Sequence, residues 1–236
     1  MLNSQKYQKV FINEKKEDIH IHPRPDSFSI ETIENFVDLC VGLGITKVGF
    51  VEHGRRVSKK HQGILNDIDD ILRFSKCVEP VKKKYSVKGV DVKCGIEIDY
   101  SQDAGFMRSV LQDCNYSKQL DYIIGSVHGY SKKAYCEYLS AVLDLVETYE
   151  VDVLGHFLLS PDIIKYTSEI ERILAVISRK HICLELNKAE RYDCNNMHLK
   201  LYFLDMAIDH NVKFVFGSDA HNITELSINN NRKWFA

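Results

Sequence analysis

Neither sign of charge is in excess: 31 Lys and Arg stand against 33 Asp and Glu, a formal net charge of −2. That balance gives no electrostatic case for gripping nucleic acid or an anionic membrane surface. No apolar run approaches the ~20 residues that span a bilayer. The first residues are polar and charged through Lys9, without the apolar stretch of a secretory signal. Seven cysteines (Cys40, Cys77, Cys94, Cys114, Cys136, Cys183 and Cys194) are scattered, odd in number and never spaced C-x-x-C. They read as reduced thiols filling core or surface, so a cytoplasmic location is expected. Pro/Gly/Ser linkers, low-complexity tracts and fixed-period repeats are also missing. A chain of 236 residues without an internal boundary is expected to fold as one domain, 1–236, with residues 1–16 leading into the first strand.

What the chain does have is a set of seven short apolar runs, nearly all ending in a histidine or an acid. They are Asp18-Ile19-His20-Ile21-His22, Val48-Gly49-Phe50-Val51-Glu52-His53 and Gly95-Ile96-Glu97-Ile98-Asp99-Tyr100. Ile123-Ile124-Gly125-Ser126-Val127-His128, Val151-Asp152-Val153-Leu154-Gly155-His156, Leu184-Glu185-Leu186-Asn187 and Phe214-Val215-Phe216-Gly217-Ser218-Asp219-Ala220-His221 complete the set. Runs that are near-continuously apolar, rather than alternating, mark parallel strands covered by helices.

Helical periodicity fills the gaps. Ile33, Phe36, Val37, Cys40 and Val41 fall at i, i+3, i+4, i+7 and i+8, with Ser29 as the expected N-cap and Gly42 and Gly44 closing the segment. Similar faces run through Ile68, Ile71, Leu72, Phe74, Cys77, Val78 and Val81, through Tyr135 to Val146, through Ile170 to Ile177, and through Leu201, Leu204 and Ile208. About seven even strand–helix alternations predict a distorted seven-stranded (β/α)7, TIM-like barrel, with a doubly wound open sheet as the alternative. Only fifteen residues follow His221, which leaves little room for an eighth unit.

In such barrels the site lies at the C-terminal ends of the strands, where these polar groups fall. His20 and His22, two apart on a strand, face the same side and can chelate one cation. Glu97, inside an apolar strand, is costly to bury unpaired and is expected to bridge two metals. Asp219 and His221 repeat the i, i+2 spacing, and His128 and His156 with Glu97 make a second set. Mixed imidazole and carboxylate ligands suit Zn, Mn or Fe better than Ca. Asp18 and Asp99 read as carboxylates that orient ligands or as polar strand ends. His61, His181, His198 and His210 read as structural or solvated.

These residues in this order resemble the PHP (polymerase and histidinol phosphatase) superfamily over residues 18–221. Gly-Ile-Glu97-Ile-Asp-Tyr and Ile-Gly-Ser-Val-His128 are most similar to its histidinol-phosphate phosphatase branch. The resemblance implies one metal on His20, His22, Glu97 and Asp219, and a second on Glu97, His128 and His156. A third would sit on His53, His221 and a residue about six positions after His22. Here that residue is Phe28, which cannot ligate; Asp26 and Ser27 are the adjacent substitutes. Two or three divalent transition metals are therefore expected, with His53, His221 and Asp219 as catalytic groups.

Arg24, Arg55 and Arg56 fall on expected rim loops, and Arg191, past Asn187, stands where this branch often carries a phosphate-gripping arginine. Guanidinium binds phosphate in bidentate fashion. Arg24, Arg55, Arg56, Arg191 and Asn187 are thus the expected substrate contacts, and the partner is a small phosphorylated substrate. The implied activity is metal-dependent hydrolysis of a phosphomonoester, with conversion of L-histidinol phosphate to L-histidinol and phosphate as its specific form. A phosphodiesterase or 3′–5′ exonuclease, a protein-tyrosine phosphatase, and a non-catalytic metal-binding domain, which Phe28 favours, are the alternatives. The charge balance and the lack of a basic–aromatic stripe oppose a nucleic-acid substrate.

Overall fold

A computed structural model describes residues 5–23, 30–54, 65, 67–100, 119–130, 134–189 and 196–232. Its strands are β1 (Glu17–Ile21), β2 (Lys47–Phe50), β3 (Asp91–Asp99), β4 (Tyr122–Ser126), β5 (Val153–Leu154), β6 (Cys183–Asn187) and β7 (Lys213–Gly217). They pair in chain order, every ladder parallel. The helices are α1 (Gln5–Phe11), α2 (Ile30–Gly42), α3 (Ile68–Ser86), α4 (Tyr135–Thr148), α5 (Thr167–Arg179), α6 (Met197–Asp209) and α7 (Ile223–Asn231), with a 3-10 segment at Pro161–Tyr166. None of the described helices is long and apolar enough to cross a membrane.

The seven strands form a nearly closed barrel, so the open-sheet alternative falls away. Closure between β1 and β7 is irregular. Asp219 N donates to His20 O at 2.8 Å and His22 N to Ala220 O at 2.8 Å. Lower down, carboxylates accept β7 amides: Phe216 N donates to Glu17 Oε2 at 3.3 Å and Ser218 N to Asp18 Oδ1 at 3.0 Å. Together with a register slip in the β1–β2 ladder and a two-residue β5, this makes the barrel distorted.

Period-2 alternation sends Ile19, Val51, Ile124 and Val153 into the barrel, packed with Tyr122, Cys183 and Val215. Tyr122 reaches across to donate from its hydroxyl to Ile19 O at 2.6 Å. Gly49 and Gly95 make room, because a Cβ at either would lie 2.3 or 2.8 Å from the phenol. Tyr122→Phe should lower stability by about 1–2 kcal/mol, since a buried hydrogen bond is lost without a change of shape. An unaltered midpoint in chemical denaturation would show that the bond contributes nothing.

The larger core lies between sheet and helices. In α2, Ile33, Phe36, Val37 and Cys40 are buried, but Val41 is exposed. Eight residues on from Ile33, it sits about 80° around the helix, at the margin of the face. In α3, Ile71, Phe74, Val78 and Val81 are buried and Asp67 caps the N-terminus, accepting from Asp70 N at 2.9 Å. The segment before β1, expected only as a leader, contains α1. Its Phe11 packs on Phe216 at 5.9 Å between ring centroids, and Tyr7 donates to Asp205. Seven residues with four polar positions carry too weak a period to read as a helix. The expected cap Ser29 lies outside the described residues.

Candidate metal centre

The strand ends deliver their polar groups to one rim. His20 and His22 come from the end of β1, Glu97 from near the C-terminal end of the long β3, and Asp219 from the segment after β7. All four are buried. His20 Nε2 and His22 Nε2 face each other at 3.1 Å. Glu97 Oε2 is 3.6 Å from the former and 3.4 Å from the latter, and Asp219 Oδ1 is 3.8 and 3.5 Å away. Four ligands at the 2.0–2.1 Å typical of a tetrahedral Zn–N or Zn–O bond stand about 3.3–3.4 Å apart. The observed spacings bracket that edge length. Glu97 Oε2 is buried without a hydrogen bond of normal geometry, although His53 Nδ1 lies 2.6 Å away. A buried acceptor aimed at imidazoles and short of hydrogen bonds is what a cation ligand looks like before its cation is counted.

The other oxygen of Glu97 looks elsewhere. Oε1 is 2.9 Å from His156 Nε2 and 3.5 Å from His128 Nε2. One carboxylate therefore faces two imidazole sets, one oxygen to each. A third group gathers His22, His53 and His221, whose ligand atoms lie within 4.8 Å of one another. The His22 ring stacks on that of His53 at 4.3 Å and on that of His221 at 4.4 Å. The resemblance implies a third member at position 28, which lies outside the described residues; among those described, His22 stands in this group as well as in the first.

Opposite charges at the rim stabilise one another. Burial alone would lower the His20 pKa, but Glu185, Glu97 and Asp219 outweigh it and raise it well above the ordinary value. Burial would raise the Glu97 carboxyl, yet His53, His20 and His156 hold it well below its usual range. Asp219 is lowered too, against burial, by His20, His156 and His22. Such a cluster favours cations, protons or metals alike, at its centre.

Supporting groups aim the ligands. His20 Nδ1 lies 2.9 Å from Glu185 Oε1, so its N–H donates there and Nε2 turns to the centre. His128 Nδ1 is likewise 3.0 Å from Asp99 Oδ1, the orienting role expected for that carboxylate. Asp18 accepts from the backbone of His20 and Ser218 and from Asn230, bracing β1 against β7. His221 Nδ1 is 3.0 Å from Asp219 O, and Asp219 itself sits at φ +51°. For a non-glycine residue that left-handed conformation is strained, as ligands held by their surroundings often are.

Asn187 turns its amide to Glu185 Oε1 and to Ala189 N, at 2.9 and 2.8 Å. Arg24, Arg55, Arg56, Arg191, Phe28, Asp26 and Ser27 lie outside the described residues. His61 does as well. His181, His198 and His210 stand away from the rim groups, on or beside helices.

Two acidic residues carry more than the sequence reading gave them. Glu185 was legible only as a motif letter, and Glu52, fully buried, lies 3.7 Å from His22 Nδ1. The available signal for both was an acid inside an apolar strand run, the cue that singled out Glu97.

No curated protein matches the chain. Among solved structures, the fold is shared with histidinol phosphate phosphatase (HisK) from Lactococcus lactis subsp. lactis Il1403, crystallised with zinc, L-histidinol and phosphate. The TM-score is 0.70 at 20% identity, covering 93% of this chain and 89% of that one. The PHP domain model matches residues 18–189, well over half the chain and every rim ligand except Asp219 and His221. With that match on a seven-stranded barrel whose strand ends gather three histidine-rich groups, this chain belongs to the PHP domain family.

Proposed function

We propose that the chain is a metal-dependent phosphatase acting on a small phosphomonoester. The observation that carries this reading is Glu97, whose two oxygens divide between His20/His22 and His128/His156. That is the arrangement of a carboxylate shared by two cations. His20, His22, Glu97 and Asp219 would hold one, and Glu97, His128 and His156 the second. His53, His221 and His22 would hold a third. Divalent Zn, Mn or Fe bound there would supply Lewis acidity toward water and toward the phosphoryl oxygens.

The chain's own residues do the rest. Buried carboxylates and imidazoles keep the ligand atoms fixed before substrate arrives, so little reorganisation is needed during reaction. His53 and His221, which like His128 are partly exposed, are placed to pass a proton to the leaving oxygen. Asp219, held ionised, is placed to orient water. The arginines Arg24, Arg55, Arg56 and Arg191, with Asn187, are proposed to grip the phosphate and its organic portion. L-Histidinol phosphate is the first substrate to try, because the histidinol phosphatase sharing the fold was crystallised with L-histidinol and phosphate.

The test is elemental analysis of chain purified without chelator, paired with a phosphomonoester panel that includes L-histidinol phosphate. Two or three equivalents of Zn, Mn or Fe and release of phosphate are expected. Full metal loading without turnover of any monoester would reject the phosphatase, and no metal after reconstitution would reject the centre itself.

A further inference from the structure

Glu185 touches ligands of both paired clusters and belongs to neither. Its Oε1 is 2.9 Å from His20 Nδ1, in the first cluster. Its Oε2 accepts from the backbone N–H of His156, in the second, at 2.6 Å. The carboxylate lies on β6, between the ends of β5 and β7, and Gly217 leaves it space. A Cβ there would fall 1.9 Å from Oε1. The first contact sets the His20 tautomer, since a proton on Nδ1 leaves Nε2 bare for a cation. The second fixes the turn after β5 that carries the His156 ring to Glu97 Oε1. Asn187 Nδ2 also donates to Oε1, which limits the carboxylate's rotation.

By contrast, the contacts of Asp99 with ligands among the described residues are to the second cluster, through the ring and backbone nitrogens of His128. Glu97 already joins the clusters from the front as a shared ligand. Glu185 joins them from behind, through ligand orientation.

We propose that Glu185 is a positioning residue that couples the two metal clusters, so that they load together rather than independently. This rests on the metal-centre reading above. A glutamine is nearly isosteric but cannot satisfy both contacts. With its oxygen toward His20, its amide hydrogens meet the His156 N–H. Reversed, they meet His20 Nδ1 and push the imidazole proton onto Nε2, the atom that faces the centre.

The experiment is a Mn(II) titration of the full chain followed by electron paramagnetic resonance, which counts bound ions and separates lone ions from exchange-coupled pairs. Wild type, Glu185→Gln, Glu185→Ala and Asp99→Ala are compared, with circular dichroism and thermal unfolding reporting that each is folded. Wild type should bind a coupled pair. In Asp99→Ala one site should weaken by about 10–100-fold, the usual effect of losing a ligand's supporting partner, and a lone-ion signal should accumulate. In Glu185→Gln both sites should weaken together by a similar factor, with no range of Mn(II) in which the lone ion dominates. If Glu185→Gln, or a folded Glu185→Ala, loses one site while the other keeps wild-type affinity, the coupling is refuted. Unchanged affinity at both sites refutes it equally. Failure of wild type to bind Mn(II), Zn(II) or Fe(II) would instead overturn the metal-centre reading.

Discussion

Glu97→Ala is expected to strip both clusters at once and to reduce phosphatase activity by more than the ~10–100-fold that follows loss of a ligand's supporting partner. Each oxygen of this carboxylate serves a different set of imidazoles, so one substitution removes a ligand from each. The same change leaves His20, His53 and His156 without an anion that draws positive charge to the rim. Glu185 and Asp219 still face His20, so what the change removes is the one carboxylate that both sets of imidazoles share. Asp219→Ala provides the contrast. Asp219 approaches His20 and His22 but is not in the group with His128 and His156. Its loss should lower affinity at the first cluster and leave the second able to bind. Metal analysis after dialysis separates the cases: Glu97→Ala should keep at most the equivalent assigned to His22, His53 and His221, and Asp219→Ala should keep the second-cluster ion as well. Near-normal activity with unchanged metal content in Glu97→Ala would remove the basis for the proposed function.

The barrel was legible because two short-range rules sufficed. Apolar runs such as 94–98 and 214–217 declare buried parallel strands, and the faces of 68–81 and 135–146 declare the helices that cover them. The i, i+2 spacing of His20 and His22 placed both rings on one face, and the structure brings their Nε2 atoms to 3.1 Å. Glu97 stood out because an acid inside an apolar strand needs a partner. What stayed hidden depends on partners far apart in sequence. Glu185 meets His20 across 165 positions, and nothing in local spacing encodes that pairing. His22 in the third group is a matter of ring stacking against His53 and His221, which follows from barrel curvature rather than from periodicity. α1 was missed because its attachment is tertiary: Tyr7 and Lys6 reach Asp205 and Asp209 on α6.

A single methyl group at position 217 should do nearly as much damage as a lost ligand. Gly217 ends β7 with an ordinary backbone conformation, so its requirement for glycine is one of space. The Cβ of Gly217→Ala would lie 1.9 Å from Glu185 Oε1 and 2.6 Å from His20 Cβ. Neither neighbour can give way cheaply. His20 is on β1 and fully buried, and Glu185 is held by His20, His156 and Asn187 at once. Overpacking in a tight core typically costs about 1–3 kcal/mol, and this site belongs at or above the upper end. The larger consequence is for the metals, because the atom displaced is the one that fixes the His20 tautomer. Metal-free Gly217→Ala should melt below wild type. The stabilisation that saturating Zn or Mn gives wild type, which grows with metal concentration over its dissociation constant, should shrink in the variant. Gly42→Ala is the matched control. It lies at the C-terminal end of α2 with nothing within 4 Å of the added Cβ, and should leave both melting temperature and metal response near wild type. If Gly217→Ala behaved like Gly42→Ala, the close packing of β7 against the Glu185–His20 pair would not be what holds the first cluster in register.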